Sequence, residues 1–182
     1  MKPVNYIPIL FVMILSSCGV YLFENPQPLN TKELKVVPAE LIGMYIEKKE
    51  QDSLIITNDS YNYLSQDSER EGSLHRGNVV LKKMNDYYIL SQKVAHPLEN
   101  SSDSLWEVYA VKYKRNGLSV YSLTFEEDNR EQFNDSVMKI LPVKEQNTDG
   151  DTLYVINPTK REFKTLLESK LYRKVLEFKK IK

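Results

Sequence analysis

Cys18 is the only thiol in the chain, and it sits directly behind a short apolar run. Lys2 gives the N-terminus a positive charge, Ile7 to Leu15 form an apolar core, and Ser16-Ser17 are the small residues a processing enzyme cuts behind. The run holds Asn5 and Pro8 near its start and falls short of the roughly 20 apolar residues that a membrane span needs. No second cysteine is left for a disulfide or a Cys-based metal site. Other chemistry-bearing residues are sparse. His75 lies beside Arg76 in a polar stretch and His96 precedes Pro97, without the i, i+4 spacing of a zinc helix. No Gly-x-Ser-x-Gly elbow occurs, and the six glycines are dispersed rather than gathered in a phosphate loop. Asn147, Asp149 and Asp151 surround Gly150, but the glycine falls too early for a calcium loop and no bidentate acid follows. The acidic groups Asp67, Glu69, Glu71 and Glu126, Glu127, Asp128 lack the apolar neighbours that would raise a carboxyl pKa for acid catalysis. Hence no catalytic residue, metal site or cofactor is assigned.

The motif Leu15-Ser16-Ser17-Cys18 resembles the signal of bacterial lipoproteins. The resemblance implies cleavage before Cys18, with residues 1–17 as signal peptide. It also implies acylation of Cys18 through a thioether diacylglycerol, usually with an amide-linked chain, palmitate-like in kind. Two or three acyl chains hold a protein stably on a bilayer, where one binds only marginally. The bilayer is thus the first expected partner, and the cell envelope the expected location. Gly19 stands where an aspartate would signal inner-membrane retention, so the resemblance favours the outer membrane. Charge points the same way by exclusion. The chain holds 25 basic and 25 acidic side chains, a balance with no basic field to attract nucleic acid.

Residues 18–37 read as a lipidated tether, because Asn25-Pro26-Gln27-Pro28 favours extended backbone. Residues 38–182 read as a single β-rich domain able to fold alone, opened by one helical turn at Pro38 to Ile42 and stopped by Gly43. From there short β-rich runs meet across two-residue turn signals. Ser53–Thr57 meets Ser60–Ser65 across Asn58-Asp59, Asn78–Met84 meets Tyr87–Lys93 across Asn85-Asp86, and Leu105–Arg115 meets Leu118–Phe125 across Asn116-Gly117. Val137–Val143 and Thr152–Ile156 read as further strands joined at Asp149-Gly150. Asn157-Pro158 starts an amphipathic helix bearing Phe163, Leu166 and Leu167, and Lys174–Ile181 is a last strand. Three polar segments, Gln66–Gly77, His96–Ser104 and Glu126–Ser136, read as surface loops.

With Asn116-Gly117 as the loop, Arg115 faces Leu118 and Ala110 faces Leu123. Trp106, Val108 and Ala110 then share a face with Tyr121, Leu123 and Phe125, the more apolar face and so the core side. The opposite face carries Tyr109, Tyr113 and Val120, suited either to solvent or to a wet cavity. These three are the candidate ligand-binding residues. The fold class expected is mainly β, an antiparallel meander closed as a barrel or stacked as a sandwich, with one C-terminal helix and a final strand. The order of helical turn, Gly43-Met44-Tyr45, meander, helix and strand resembles the lipocalin plan, with Tyr45 where lipocalins carry Trp. That resemblance implies an eight-stranded barrel around a small apolar ligand. The tether followed by Leu41-Ile42-Gly43-Met44-Tyr45 is also similar to small lipoproteins of Bacteroidetes-type bacteria. The expected function is a membrane-anchored envelope lipoprotein of non-enzymatic binding type whose ligand the sequence does not name, with a small apolar ligand or an envelope protein as the partners it could take. Alternatives are an inhibitor or accessory lipoprotein docking onto another envelope protein, or an envelope hydrolase.

Overall fold

Apolar residues on alternate positions build most of this molecule, a mainly β protein with two α-helices. The computed structural model describes residues 18–50, 52–66, 68–95, 104–148 and 151–181. Among the described residues, twelve strands form one mixed sheet that does not close. They are β1 (Cys18–Phe23), β2 (Gly43–Glu47), β3 (Ser53–Ile56), β4 (Ser60–Leu64), β5 (Glu69–Ser73) and β6 (Val79–Met84). Then follow β7 (Tyr87–Ala95), β8 (Ser104–Lys114), β9 (Gly117–Glu126), β10 (Val143–Thr148), β11 (Asp151–Ile156) and β12 (Tyr172–Lys180). Helix α1 spans Arg130–Met138 and α2 spans Lys160–Glu168. No helix among the described residues is long and apolar enough to cross a membrane.

Nine strands run antiparallel in the order β6-β7-β8-β9-β12-β2-β3-β4-β5 and curl round until β5 and β6 approach each other. No backbone ladder joins these two edges among the described residues. The seam is instead bridged by side chains. Tyr61 of β4 donates to Gln92 of β7, and Arg70 of β5 pairs with Glu107 of β8 at 3.2 Å. Glycine is needed here. A Cβ on Gly72 would lie 2.3 Å from the ring of Tyr61, its cross-strand partner, and 2.4 Å from a methyl of Val79. The tyrosine ring covers the bare glycine, as aromatics do on strand glycines. The lipocalin-type closed barrel is therefore replaced by an open cup.

The segment read as a tether is structural. β1 wedges between the splayed ends of β8 and β9: Phe23 pairs with Trp106, and Cys18, Gly19 and Val20 pair with Glu126, Phe125 and Thr124. It also lies parallel to β11, the one parallel pairing among the described residues. Alternation explains the strand, since Tyr21 and Phe23 are buried on one face and Leu22 on the other. Residues 25–34 then pack back against β6. Lys82, 5 % exposed, donates to the carbonyls of Pro26 and Pro28, each at 3.0 Å, and Leu34 N–H donates to the Leu81 carbonyl. The proline-rich stretch lacks N–H groups at Pro26 and Pro28, so its free carbonyls need a donor, and the lysine supplies it.

Both faces of the β8–β9 pair are covered. Outside the cup, Val108, Ala110, Leu123 and Phe125 pack with Tyr21 and Phe23 against Phe133 and Val137 of α1 and Phe163, Leu166 and Leu167 of α2. Tyr21 stacks on Tyr154 at 5.3 Å and donates to Asn134 at 2.5 Å. Inside, Leu118 and Val120 join Leu54, Leu81 and Phe178 in a second cluster. The expected core face is correct; Trp106 lies at its half-buried edge.

Several expectations need correcting. The β8–β9 loop is Arg115-Asn116, with Lys114 opposite Gly117 and Ala110 opposite Tyr121, two residues from the expected register but with the same faces. Val137 lies in α1 rather than in a strand, and the polar stretch 126–136 is mostly helical. The polar stretch 66–77 contains β5. α2 begins at an N-cap on Thr159, not Asn157, closed by a capping box with Glu162. Asn85-Asp86 is the two-residue loop expected, with Met84 opposite Tyr87. The strands β10 and β11 join across positions 149–150, which, with His96 and most of its loop, lie outside the described residues.

Candidate functional site: an apolar cup with a polar rim

Because a strand turns every second side chain to the same face, the curled sheet presents one row per strand to its interior. Leu118, Val120, Ser122 and Thr124 are the row from β9. Leu54 and Ile56 come from β3, Tyr61 and Tyr63 from β4, Val79 and Leu81 from β6, Tyr88, Leu90 and Gln92 from β7, and Leu176 and Phe178 from β12. Together they enclose a cavity of about 890 Å³. Leu41 and Val37 plug one end. The turns before β3 and β5 rim the other, with exposed Lys49, Glu50, Gln66 and Ser68.

Polar groups in the wall are few and engaged. Tyr109 donates to Glu107 Oε2 at 2.8 Å, the same oxygen that Arg70 meets, so a tyrosine, a carboxylate and a guanidinium form one unit across the seam. Burial first, then the negative charge of Glu107, pushes the Tyr109 hydroxyl well above the ordinary tyrosine range. Tyr61 is pushed up to about 12, chiefly by burial. Tyr63 donates to Asp52, a buried carboxylate in the same wall, and its own pKa rises through burial and then that hydrogen bond. Each of these phenols therefore stays a neutral donor, and Asp52 and Glu107 each accept from one of them.

Of the three residues expected to bind a ligand, Tyr109 and Val120 line the cavity. Tyr113 packs with the inner apolar cluster but lies outside the lining, near Tyr45. Cys18 is the first residue of β1, its backbone opposite Glu126. His75 sits on the surface 3.5 Å from Asp59. Among the described residues, no three His, Cys, Asp or Glu side chains converge as a metal ion would require. Comparison with family models, curated proteins and solved structures finds no match to this chain. Function is therefore argued from the cup alone.

Sequence reasoning missed most of the lining. Arg70 looked like a loop charge, and Leu81, Leu90 and Phe178 looked like ordinary strand residues. One signal was present. Tyr61 and Tyr63 alternate, as do Tyr109, Val111 and Tyr113, which puts aromatics repeatedly on one face of long strands.

Proposed function

We propose that the chain is a lipid-anchored envelope protein, held on the outer membrane through Cys18, that binds a small apolar or amphiphilic ligand inside its β cup. The carrying observation is the cavity of about 890 Å³, open at one end and walled mainly by apolar side chains from seven strands. Binding pockets for small molecules fall in this range and pair apolar walls with a few placed polar groups. The docking alternative asks for a filled interior, and the hydrolase alternative for a carboxylate or histidine free to act in a cleft. Here the inward side chains leave a cavity between them, and Asp52 and Glu107 both accept hydrogen bonds from tyrosines. Support for the anchor is the motif ending in Cys18.

The test is titration of the purified protein with cis-parinaric acid, a fluorescent apolar chain. Wild type should enhance its emission saturably. Val120→Trp, which fills the cavity, should weaken binding at least about tenfold, a loss of about 1.4 kcal/mol or more, with an unchanged circular dichroism spectrum. Equal binding by the two proteins, or none by wild type, sinks the proposal.

A further inference from the structure

On β7, β8 and β9 the rows that face the cup change character along their length, and all three change toward the same end. On β9 the order is Leu118, Val120, Ser122, Thr124. On β7 it is Tyr88, Leu90, Gln92; on β8, counted back from the hairpin loop, it is Val111 and Tyr109, with Glu107, the acceptor of Tyr109, next in the alternation. The polar members are neighbours through the backbone: Gln92 pairs with Glu107, and Tyr109 with Ser122. The series ends on Thr124, whose partner is Val20, two residues from Cys18. β9 is ten residues long and so spans about 30 Å. Its start adjoins the Arg115-Asn116 loop, and its last residue, Glu126, is paired with Cys18.

We propose that the mouth of the cup and the acylated residue lie at the same end of the molecule, so that the cup opens onto the bilayer that holds the anchor and exchanges a membrane amphiphile with it. This rests on the reading of Cys18 as acylated and of the cup as a ligand site. Two further observations fit a membrane-facing mouth. First, β1 begins at Cys18, so no spacer separates acyl chains from folded domain. Second, the exposed rim residues Lys49 and Glu50 balance in charge, and Gln66 and Ser68 are neutral. An amphiphile entering tail first would bury its chain against Leu118, Leu81 and Phe178. Its head would stay among Tyr109, Arg70 and Tyr63.

The experiment uses the full acylated protein reconstituted on phosphatidylethanolamine–phosphatidylglycerol vesicles that contain a nitroxide lipid. Gln66→Cys places a thiol on the rim and Asn116→Cys one in the far hairpin loop, each for a bimane label; the acylated Cys18 takes none. The rim label should be quenched at least about threefold more strongly than the loop label. Equal quenching, or stronger quenching at position 116, overturns the proposal. So does a mass spectrum of the purified protein without the acyl chains. Parinaric acid binding by Cys18→Ser in solution is read separately. If it persists while the quenching pattern fails, the orientation is wrong and the ligand site stands. If it is absent, the ligand site falls, and with it the exchange proposed here.

Discussion

Gly117 sits where the backbone of β12 passes close beside the β8–β9 hairpin. Asn116-Gly117 marks a hairpin because glycine tolerates the left-handed backbone. In the structure the left-handed residue is Arg115, with φ 52, and Gly117 is the first residue of β9. What forbids a side chain there is a neighbour: a Cβ would stand 2.5 Å from the backbone carbonyl oxygen of Phe178. Backbone gives way less easily than a side-chain tip. Gly117→Ala should therefore lower stability by about 1–3 kcal/mol. Arg115→Gly should be neutral or stabilising, because it removes a left-handed conformation that costs an L-residue about 1–2 kcal/mol. Urea unfolding of both variants tests this, and the reverse order would restore the loop reading. Ionisation offers a second check. Burial, the largest cause in each case, pushes Tyr45 and Tyr61 up from 10.0 to about 12. The fold favours the protonated phenol, so this contribution is whole below the unfolded value and is lost as pH rises from about 10 toward 12. The urea midpoint should fall across that window in step with tyrosinate absorbance. A flat midpoint would mean that these hydroxyls are solvated.

Elements defined by strong local alternation or helical spacing were legible. The apolar face of α2 and the Asn85-Asp86 hairpin are where the sequence puts them. β5 was not, because Glu69-Arg70-Glu71-Gly72-Ser73 contains no large apolar residue and is a strand only through pairing with β4. α1 was hidden by the β-branched and apolar residues from Val137 to Val143. Its own helical signal is little more than Phe133 and Val137, four residues apart. The proline-rich segment was misjudged because its anchor, Lys82, lies some 55 residues away on β6. Lys82→Met keeps the apolar stem and removes the donor, leaving two carbonyls unsatisfied. It should cost about 1–3 kcal/mol and open residues 25–34 to limited proteolysis before the sheet unfolds. Unchanged protection of that segment would show that the lysine does not hold it.

At the scale of the whole molecule, the cup could not be read from the sequence, because its wall is assembled from strands far apart in the chain. The starting point of the fold was misplaced for a related reason. Residues 38–182 lack β1, whose Tyr21 and Phe23 are almost completely buried between the sheet and both helices. That fragment should fail to unfold cooperatively in urea, whereas a protein starting at Cys18 should succeed. A sharp transition for the shorter fragment would show that β1 is dispensable. The seam between β5 and β6 has one more consequence. In a barrel closed by hydrogen bonds, strand number and stagger fix the girth, which can change only in whole steps. Here the last junction is made by Tyr61 with Gln92 and Arg70 with Glu107, not by a ladder. The bore is thus a continuous variable, set by the length and tilt of two side-chain pairs.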